Sequence, residues 1–397
     1  MATAQARITD FSDAEVSGRV ARTRARMQQK GIEALLVYDE GGIIGGGSAR
    51  YLMGYSHVAP PYPAYVVVGA SGERVLLFLE GMGGTAINAN EIFGPKSFLA
   101  IPGGGEGARP DIPGGIATAL SRVGFSKGRL GVDGANLIRY PVMEGLKTKL
   151  GPDVELVPTP RLVEWVRREK SPAELENFKK ATALSKTAMD MFMEIVQPGI
   201  RQDVATAMVH QATNVQGAEQ LSLIHGAGDP WLWGMGARGP LTFEQGDLVS
   251  CELNARYHGY YSQVCRTWPL GPVADERTKM FDAVKAAHDR MLNMVKPGMT
   301  PRELYIAALD EVRKRGYDWC GVRFGHGLGL TIGEGWDFAD WDNEPDGPVL
   351  APMQEGAFGV FHPFLIATGS NGRGQFNALY GDPWVLGKTG PELFYQV

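Results

Sequence analysis

The chain predicts two successive domains, an α/β unit followed by an α+β unit, and three observations carry that reading. Short β-rich runs alternate with helical segments through the first 160 residues. The stretch VRREKSPAELENFKKA (166–181) then breaks the rhythm with a strong helix start. Beyond it, VQPGIRQDVATAMV (196–209) is echoed about a hundred residues later by VKPGMTPRELYIAAL (295–309), each copy following a long amphipathic segment. A chain of 397 residues exceeds what one core holds. We place the boundary between residues 165 and 166.

In order, residues 14–31 read as a helix charged on one face. ALLVYD (34–39), AYVVVGA (64–70) and RVLLFLE (74–80) read as strands. IATALSRVGF is a further helix and GRLGVDG a buried strand. The glycine-rich stretches at 41–48, 101–115 and 233–240 are flanked by apolar segments and read as loops. GGIIGGG has neither the spacing nor the basic residue of a phosphate-binding loop. At the break, Ser171 is an N-cap, Pro172 takes the first helical position and Glu174 closes a capping box; the helix runs to about Ile195. The two Pro-Gly turns imply a duplicated helix pair behind one sheet.

A net charge of -5 offers no basic footprint for nucleic acid and no polybasic membrane patch. No apolar run reaches the length of a membrane span, and the first residues lack a signal core. Cys251, Cys265 and Cys320 are too few for a disulfide framework. The expected setting is cytoplasmic.

The segment 246–271, GDLVSCELNARYHGYYSQVCRTWPLG, predicts strand, turn, strand, with the turn near Arg256–Gly259. That centre puts Glu252 opposite Gln263 on one face, with Tyr261 on the same hairpin. A carboxylate in this apolar run implies a raised pKa or a dedicated partner. Arg266 falls on the other face as an ion-pair candidate. His326, in RFGHGLGLTIGE, lies between glycines that expose it to a pocket. His362 precedes Pro363 and either faces the site or ends a strand. His225, in LIHGAGDPWLWG, either faces the pocket or bonds to nearby backbone; His258 belongs to the turn. Trp231, Trp233 and Trp336 lie on loops near these segments, with Trp341 and Trp384 close by. Such rings either form a cage for a flat or cationic small molecule or seal the sheet. Asp382, between Gly381 and Pro383, has a turn's composition.

The spacing from Glu252 through Gly259-Tyr260 and Gln263 to Arg266-Thr267 resembles the metal-binding hairpin of aminopeptidase P, prolidase and creatinase. GHGLGL around His326, KSPAEL, both Pro-Gly turns and GDLV occur in the family's order, and ARYLMGYS (49–56) fits its N-terminal domain. The resemblance covers the whole chain. It implies a creatinase-like N-terminal α/β domain and a C-terminal pita-bread domain, with duplicated helix pairs on a curved antiparallel sheet. It also implies a homodimer in which Tyr55, His57 or Tyr62 of one chain reaches the other's pocket.

Those peptidases hold two divalent cations on two aspartates, one histidine and two glutamates. Here the matching positions read Glu252, Gln263, His326, His362 and Gly381; the family's His-Glu pair reads Gly333-Glu334. A neutral Gln cannot bridge two cations, so no two-metal centre, and no other cofactor, is expected. By similarity to metal-free members such as creatinase and ectoine hydrolase, the leading expectation is hydrolysis of a non-peptide C–N bond in a small molecule. Glu252, as nucleophile or base, and His326 would act with His362. Substrate contacts are expected from His225, Trp231, Trp233, Tyr261, Gln263, Glu334, Trp336 and Asp382. Two alternatives stay open. One is a single-metal hydrolase or lyase, Xaa-Pro peptidase-like or dimethylsulfoniopropionate-lyase-like, with Glu252, His326 and His362 as ligands. The other is a non-catalytic binding protein.

Overall fold

The computed structural model describes residues 11–40, 42–43, 46–54, 64–79, 98–101, 110–227, 234–235, 241–320, 324–338, 349–368 and 375–394. It divides into two compact units, Met1–Arg167 and Arg168–Val397.

The first unit holds a six-stranded mixed sheet. Its strands are β1 (Ala34–Asp39), β2 (Ala64–Val68), β3 (Arg74–Leu79), β4 (Phe98–Ile101), β5 (Gly128–Asp133) and β6 (Val154–Pro158), in the order β4-β3-β2-β1-β5-β6. All of β1 is buried, which explains why ALLVYD is a continuous apolar run instead of an alternating one. Helices α1 (Asp13–Gln29), α2 (Ser48–Met53), α3 (Ile112–Arg122), α4 (Tyr140–Leu150) and α5 (Leu162–Arg167) complete it. Asp133, at the end of β5, accepts a hydrogen bond from the Val163 backbone N–H at 2.8 Å and so caps the turn into α5. Burial pushes its carboxyl up to about 6.

The second unit opens with α6 (Pro172–Ile195), whose capping box forms as the sequence predicts: Ser171 Oγ accepts from Glu174 N–H, and the Glu174 carboxylate accepts from Ser171 N–H. Then follow α7 (Gln202–Val215), β7 (Gln220–Gly226), β8 (Gly234–Met235), β9 (Leu248–Tyr257), β10 (Tyr260–Pro269), α8 (Asp275–Met294) and α9 (Pro301–Arg313). The echoed Pro-Gly turns join α6 to α7 and α8 to α9, and α9 carries its own capping box on Thr300 and Glu303. Strands β11 (Gly325–Leu328), β12 (Ile332–Asp337), β13 (Phe358–Phe361), β14 (Phe364–Thr368), β15 (Gln375–Leu379), β16 (Pro383–Leu386) and β17 (Pro391–Leu393) finish the fold.

Two sheets matter for the site, one ordered β10-β9-β7-β8 and the other β12-β11-β13-β16-β17. They meet at the outer edge of β10. Cys265 exchanges both backbone hydrogen bonds with Gly381, and Tyr261 N–H donates to Gly329 C=O at 2.8 Å. The helix-facing side of the first sheet carries Leu221, Leu223, Leu253, Ala255 and Val264, packed with α6 and α7 residues into one apolar core. Burying such side chains stabilises by roughly 1.5–3 kcal/mol each. This side is what sets the hairpin's register against a one-residue slip.

Candidate functional site

The side of β7, β9 and β10 turned away from those helices is polar, and its registers define four rows. They are Gln220–Arg256–Tyr261, Ser222–Asn254–Gln263, Ile224–Glu252–Cys265 and Gly226–Ser250–Thr267. Glu252 therefore stands opposite Cys265, and Gln263 opposite Asn254, which corrects the expected pairing of Glu252 with Gln263. The reason lies in the turn. His258 (φ 46°) and Gly259 (φ 82°) are both left-handed, forming a two-residue hairpin loop centred one residue later than the composition suggested. A displacement of two residues across the hairpin preserves the face, so Glu252 and Gln263 still point the same way.

Glu252 is half-buried and accepts a hydrogen bond from Asn254 Nδ2 at 3.2 Å. Gln263 is fully buried, its Nε2 3.4 Å from Cys265 Sγ. Burial, reinforced by the Glu252 charge, pushes the Cys265 thiol well up, which keeps it protonated and unsuited to nucleophilic work. Tyr261 donates its phenol to Gln220 Oε1 at 2.9 Å and is committed to the row at the hairpin's turn end.

His326, buried on β11, has Nδ1 3.0 Å from the Gly327 carbonyl oxygen. A carbonyl only accepts, so Nδ1 is the donor in this contact. The His362 ring stands edge-on to it, centroids 4.9 Å apart at 69°. The route between these imidazoles and Glu252 is contiguous. Cys265, across the hairpin from Glu252, bridges to Gly381, and a Cβ built on Gly381 would lie 3.0 Å from His362 Cβ. That same Cβ would collide with the Phe361 carbonyl oxygen. The position where the resemblance expects the last metal-binding glutamate is thus sterically closed to any side chain.

Other candidates lie elsewhere. His225 projects to the helix side, 3.3 Å from Thr206 Oγ1 and between the rings of Phe192 and Phe243, because its parity on β7 is that of Leu221 and Leu223. Trp336 is buried in an apolar cluster, stacked on Trp384 at 5.5 Å, with its indole N–H donating to Phe358 C=O. It seals the sheet instead of forming a cage. Asp382 pairs with Arg266 at 2.6 Å, both buried. Beside that pair the Tyr380 phenol is pushed up to about 12, first by burial and then by the Asp382 charge. Glu334 is bound to Lys170 at 2.5 Å, each side chain only 1% exposed. Trp231, Trp233, Trp341, Tyr55, His57 and Tyr62 lie outside the described residues.

Sequence reasoning missed Asn254, Asn377 and Lys170. Alternation from Glu252 pointed to Asn254, two residues on along the same face. Asn377 reaches Ser250 Oγ at 2.6 Å from a strand 127 residues away, and Lys170 meets a partner 164 residues away. Local patterning carries no trace of either contact.

The residues present do not fit the two cations that the family resemblance implies. Among the described residues, no three His, Cys, Asp or Glu side chains are grouped to hold a metal ion. Gln263 is neutral and Gly381 cannot bear a ligand. Among the described residues, no helix is long and apolar enough to cross a membrane.

Comparison with known proteins meets this geometry from another side. A profile for the Creatinase/Prolidase N-terminal domain matches residues 19–168, and one for Metallopeptidase family M24 matches residues 176–372. An uncharacterized peptidase, YqhT of Bacillus subtilis, is 30% identical over 185 residues, 46% of this chain and 52% of that protein. The Xaa-Pro dipeptidase of Pyrococcus furiosus is 29% identical over 208 residues, 52% of this chain and 59% of that protein. The chain thus spans little more than half the length of these curated relatives. The solved structure of an Xaa-Pro dipeptidase from Bacillus anthracis superposes with a TM-score of 0.75 at 22% identity, covering 96% of this chain and 98% of that one. Dipeptidase PepE from Mycobacterium ulcerans gives 0.75 at 20% identity, covering 98% and 97%. Both share the fold. The expected closeness to metal-free members has no counterpart among these relatives. With profiles of both halves matched in order and the fold shared end to end, the chain belongs to the creatinase, aminopeptidase P and prolidase family of pita-bread proteins.

Proposed function

We propose that the chain is a hydrolase that cleaves a C–N bond of a small molecule with its own acid–base groups instead of a two-metal centre. The observation that carries this reading is the contact between His326 Nδ1 and the Gly327 carbonyl oxygen. A carbonyl only accepts, so Nδ1 donates and Nε2 is the ring's proton-accepting nitrogen, with a second imidazole, His362, against the ring. Glu252, half-buried on the adjoining polar face, supplies the carboxylate. In this scheme Glu252 takes the proton of the attacking water and hands it to His326 Nε2, and the imidazolium so formed delivers it to the departing nitrogen as the water's C–O bond forms and the C–N bond breaks. The neutral Gln263 and the closed Gly381 position support acid–base chemistry over paired cations.

A second reading rests on the relatives. The Pyrococcus furiosus protein is named an Xaa-Pro dipeptidase and the matching profile a metallopeptidase, which favours a peptidase using a cation at Glu252, His326 and His362. Against it stands the lack of a three-ligand group among the described residues. One set of measurements separates the two: bound metal by mass spectrometry, and turnover of dipeptides ending in proline against non-peptide amides and amidines, with and without chelator. Our reading expects chelator-insensitive turnover of a non-peptide substrate, reduced about 10²–10⁴-fold in Glu252→Gln and in His326→Ala. Stoichiometric metal, with activity abolished by chelator, would sink it. Absence of all turnover would favour a binding protein. By the same resemblance the chain is a homodimer, which sedimentation tests directly.

A further inference from the structure

We propose that the outer stripe of α7 is a homotypic contact surface, which pairs with the same stripe on a second copy of this chain, the two helices running antiparallel. Val204, Met208, Gln211 and Val215 follow one another at steps of four, three and four residues, which lines them up along one side of the helix. That side is turned away from the core in which Ala205 and Val209 pack. Val204 is 41% exposed, Met208 47% and Val215 82%. Leu241, whose carbonyl accepts from Gln202 N–H at the helix start, is 45% exposed. No Asp, Glu, Lys or Arg lies between residues 204 and 215. His210 is half-buried to one side of the stripe, and burial pushes its imidazole down, towards the neutral form. Apolar groups gathered in one stripe, unlike scattered ones, mark a contact surface.

The internal repeat supplies a control. Setting Pro198-Gly199 against Pro297-Gly298 matches each residue of α7 with the one 99 positions later. The four stripe positions then read Glu303, Ala307, Asp310 and, at the C-cap of α9, Lys314. The same place in the same helix pair is charged in one copy and without charge in the other, so the shared fold does not demand the apolar stripe.

Its spacing selects the occupant. Alternating steps of four and three are the seam of a two-helix coiled coil. A two-fold axis crossing midway between Met208 and Gln211 sets Val204 against the partner's Val215 and Met208 against the partner's Gln211, because both pairs are centred on the same point of the sequence. No charge meets its own image across that axis. Leu241, beside the start of α7, enlarges the end that receives the partner's Val215. A seam about 17 Å long falls short of a standard interface of about 800 Å² per partner, so this contact alone associates weakly. The stripe lies on the helix side of the first sheet, away from the polar face. The contact therefore rests neither on the hydrolase reading nor on the dimer implied by resemblance, in which one chain reaches the other's pocket.

The test is sedimentation equilibrium of the full chain across a concentration range, for the natural sequence, Val204→Lys, Val215→Glu and the two changes combined. Both positions are exposed, so Tm is expected to hold in every variant. Each single change buries a lone charge in the seam and is expected to weaken self-association at least about ten-fold. The combined variant sets Lys against Glu at both ends of the pair and is expected to recover most of that loss. The two positions stand about 17 Å apart along one helix, so the recovery does not arise within a single chain. If the dimer implied by resemblance also forms, the α7 contact appears as a dimer-to-tetramer step with the same dependence on the variants. A chain monomeric throughout, association that ignores all three variants, or a combined variant as weak as the single ones would overturn the proposal.

Discussion

Replacing Lys170 with Met leaves the Glu334 carboxylate buried beside an apolar side chain. The two groups sit 2.5 Å apart at 1% exposure each, so solvent screens their attraction very little. Glu334 also has no room to swing away, because it packs directly onto Gly329, where an added Cβ would strike its carboxylate. Removing one partner of a pair this deep costs about 3–5 kcal/mol, most of it the burden of the charge left behind. For a unit of this size, each kcal/mol moves Tm by about 2–4 °C, so Lys170→Met and Glu334→Gln should each melt about 6–20 °C lower. Lys170→Met combined with Glu334→Leu removes both charges and should recover most of the loss. Thermal unfolding followed by tryptophan fluorescence, with Trp336 two residues from Glu334, reads all the variants. A double-mutant cycle using Lys170→Met and Glu334→Leu should return a coupling of at least about 2 kcal/mol. If the single losses simply add, within about 0.5 kcal/mol, the two charges are not holding each other and the reasoning fails.

Three further outcomes follow from the same geometry. Burial raises the Asp133 carboxyl to about 6 from an ordinary value of 3.8, so the folded chain holds this proton more tightly than the unfolded one. The resulting stability is complete below about pH 4 and is lost as pH rises through 6; Asp133→Asn should flatten that window and gain up to about 3 kcal/mol above it, read by denaturant titration at each pH. Gly381→Glu, which restores a carboxylate to the family's position, should destabilise by about 1–3 kcal/mol and bind no metal in equilibrium dialysis, because its Cβ meets the Phe361 carbonyl. His258→Val should lower stability by about 1–2 kcal/mol, since a β-branched residue tolerates a φ of 46° poorly.

Local chemistry made much of the fold legible. The Ser171 capping box, the run ALLVYD and the paired Pro-Gly turns each encode their structure within a few residues, and each forms as expected. Register was harder. A single left-handed histidine at 258 moved the hairpin centre by one residue, and histidine's composition does not announce that conformation. The candidate site was legible where a face could be counted, as for Glu252 and Gln263, and illegible where distant strands supply the partner. Parity along β7 would have placed His225 behind the sheet, beside Leu223, had the strand's limits been known. Glu334, Trp336 and Asp382 are expected from the sequence as substrate contacts, yet what holds them is Lys170, Trp384 and Arg266, and no spacing rule reaches across such separations.

The closure of β10 has a consequence for the order of assembly. Its outer edge is capped by Gly329 and Gly381, residues separated from their partners Tyr261 and Cys265 by about 70 and 115 positions. Until the chain through residue 381 has been synthesised, a hairpin with ten-residue strands presents an unprotected rim able to pair with any extended segment nearby. Such long-range closures are slow. Chains interrupted between residues 270 and 380 should therefore be the ones that aggregate, while those ending before β9 have no such rim to expose.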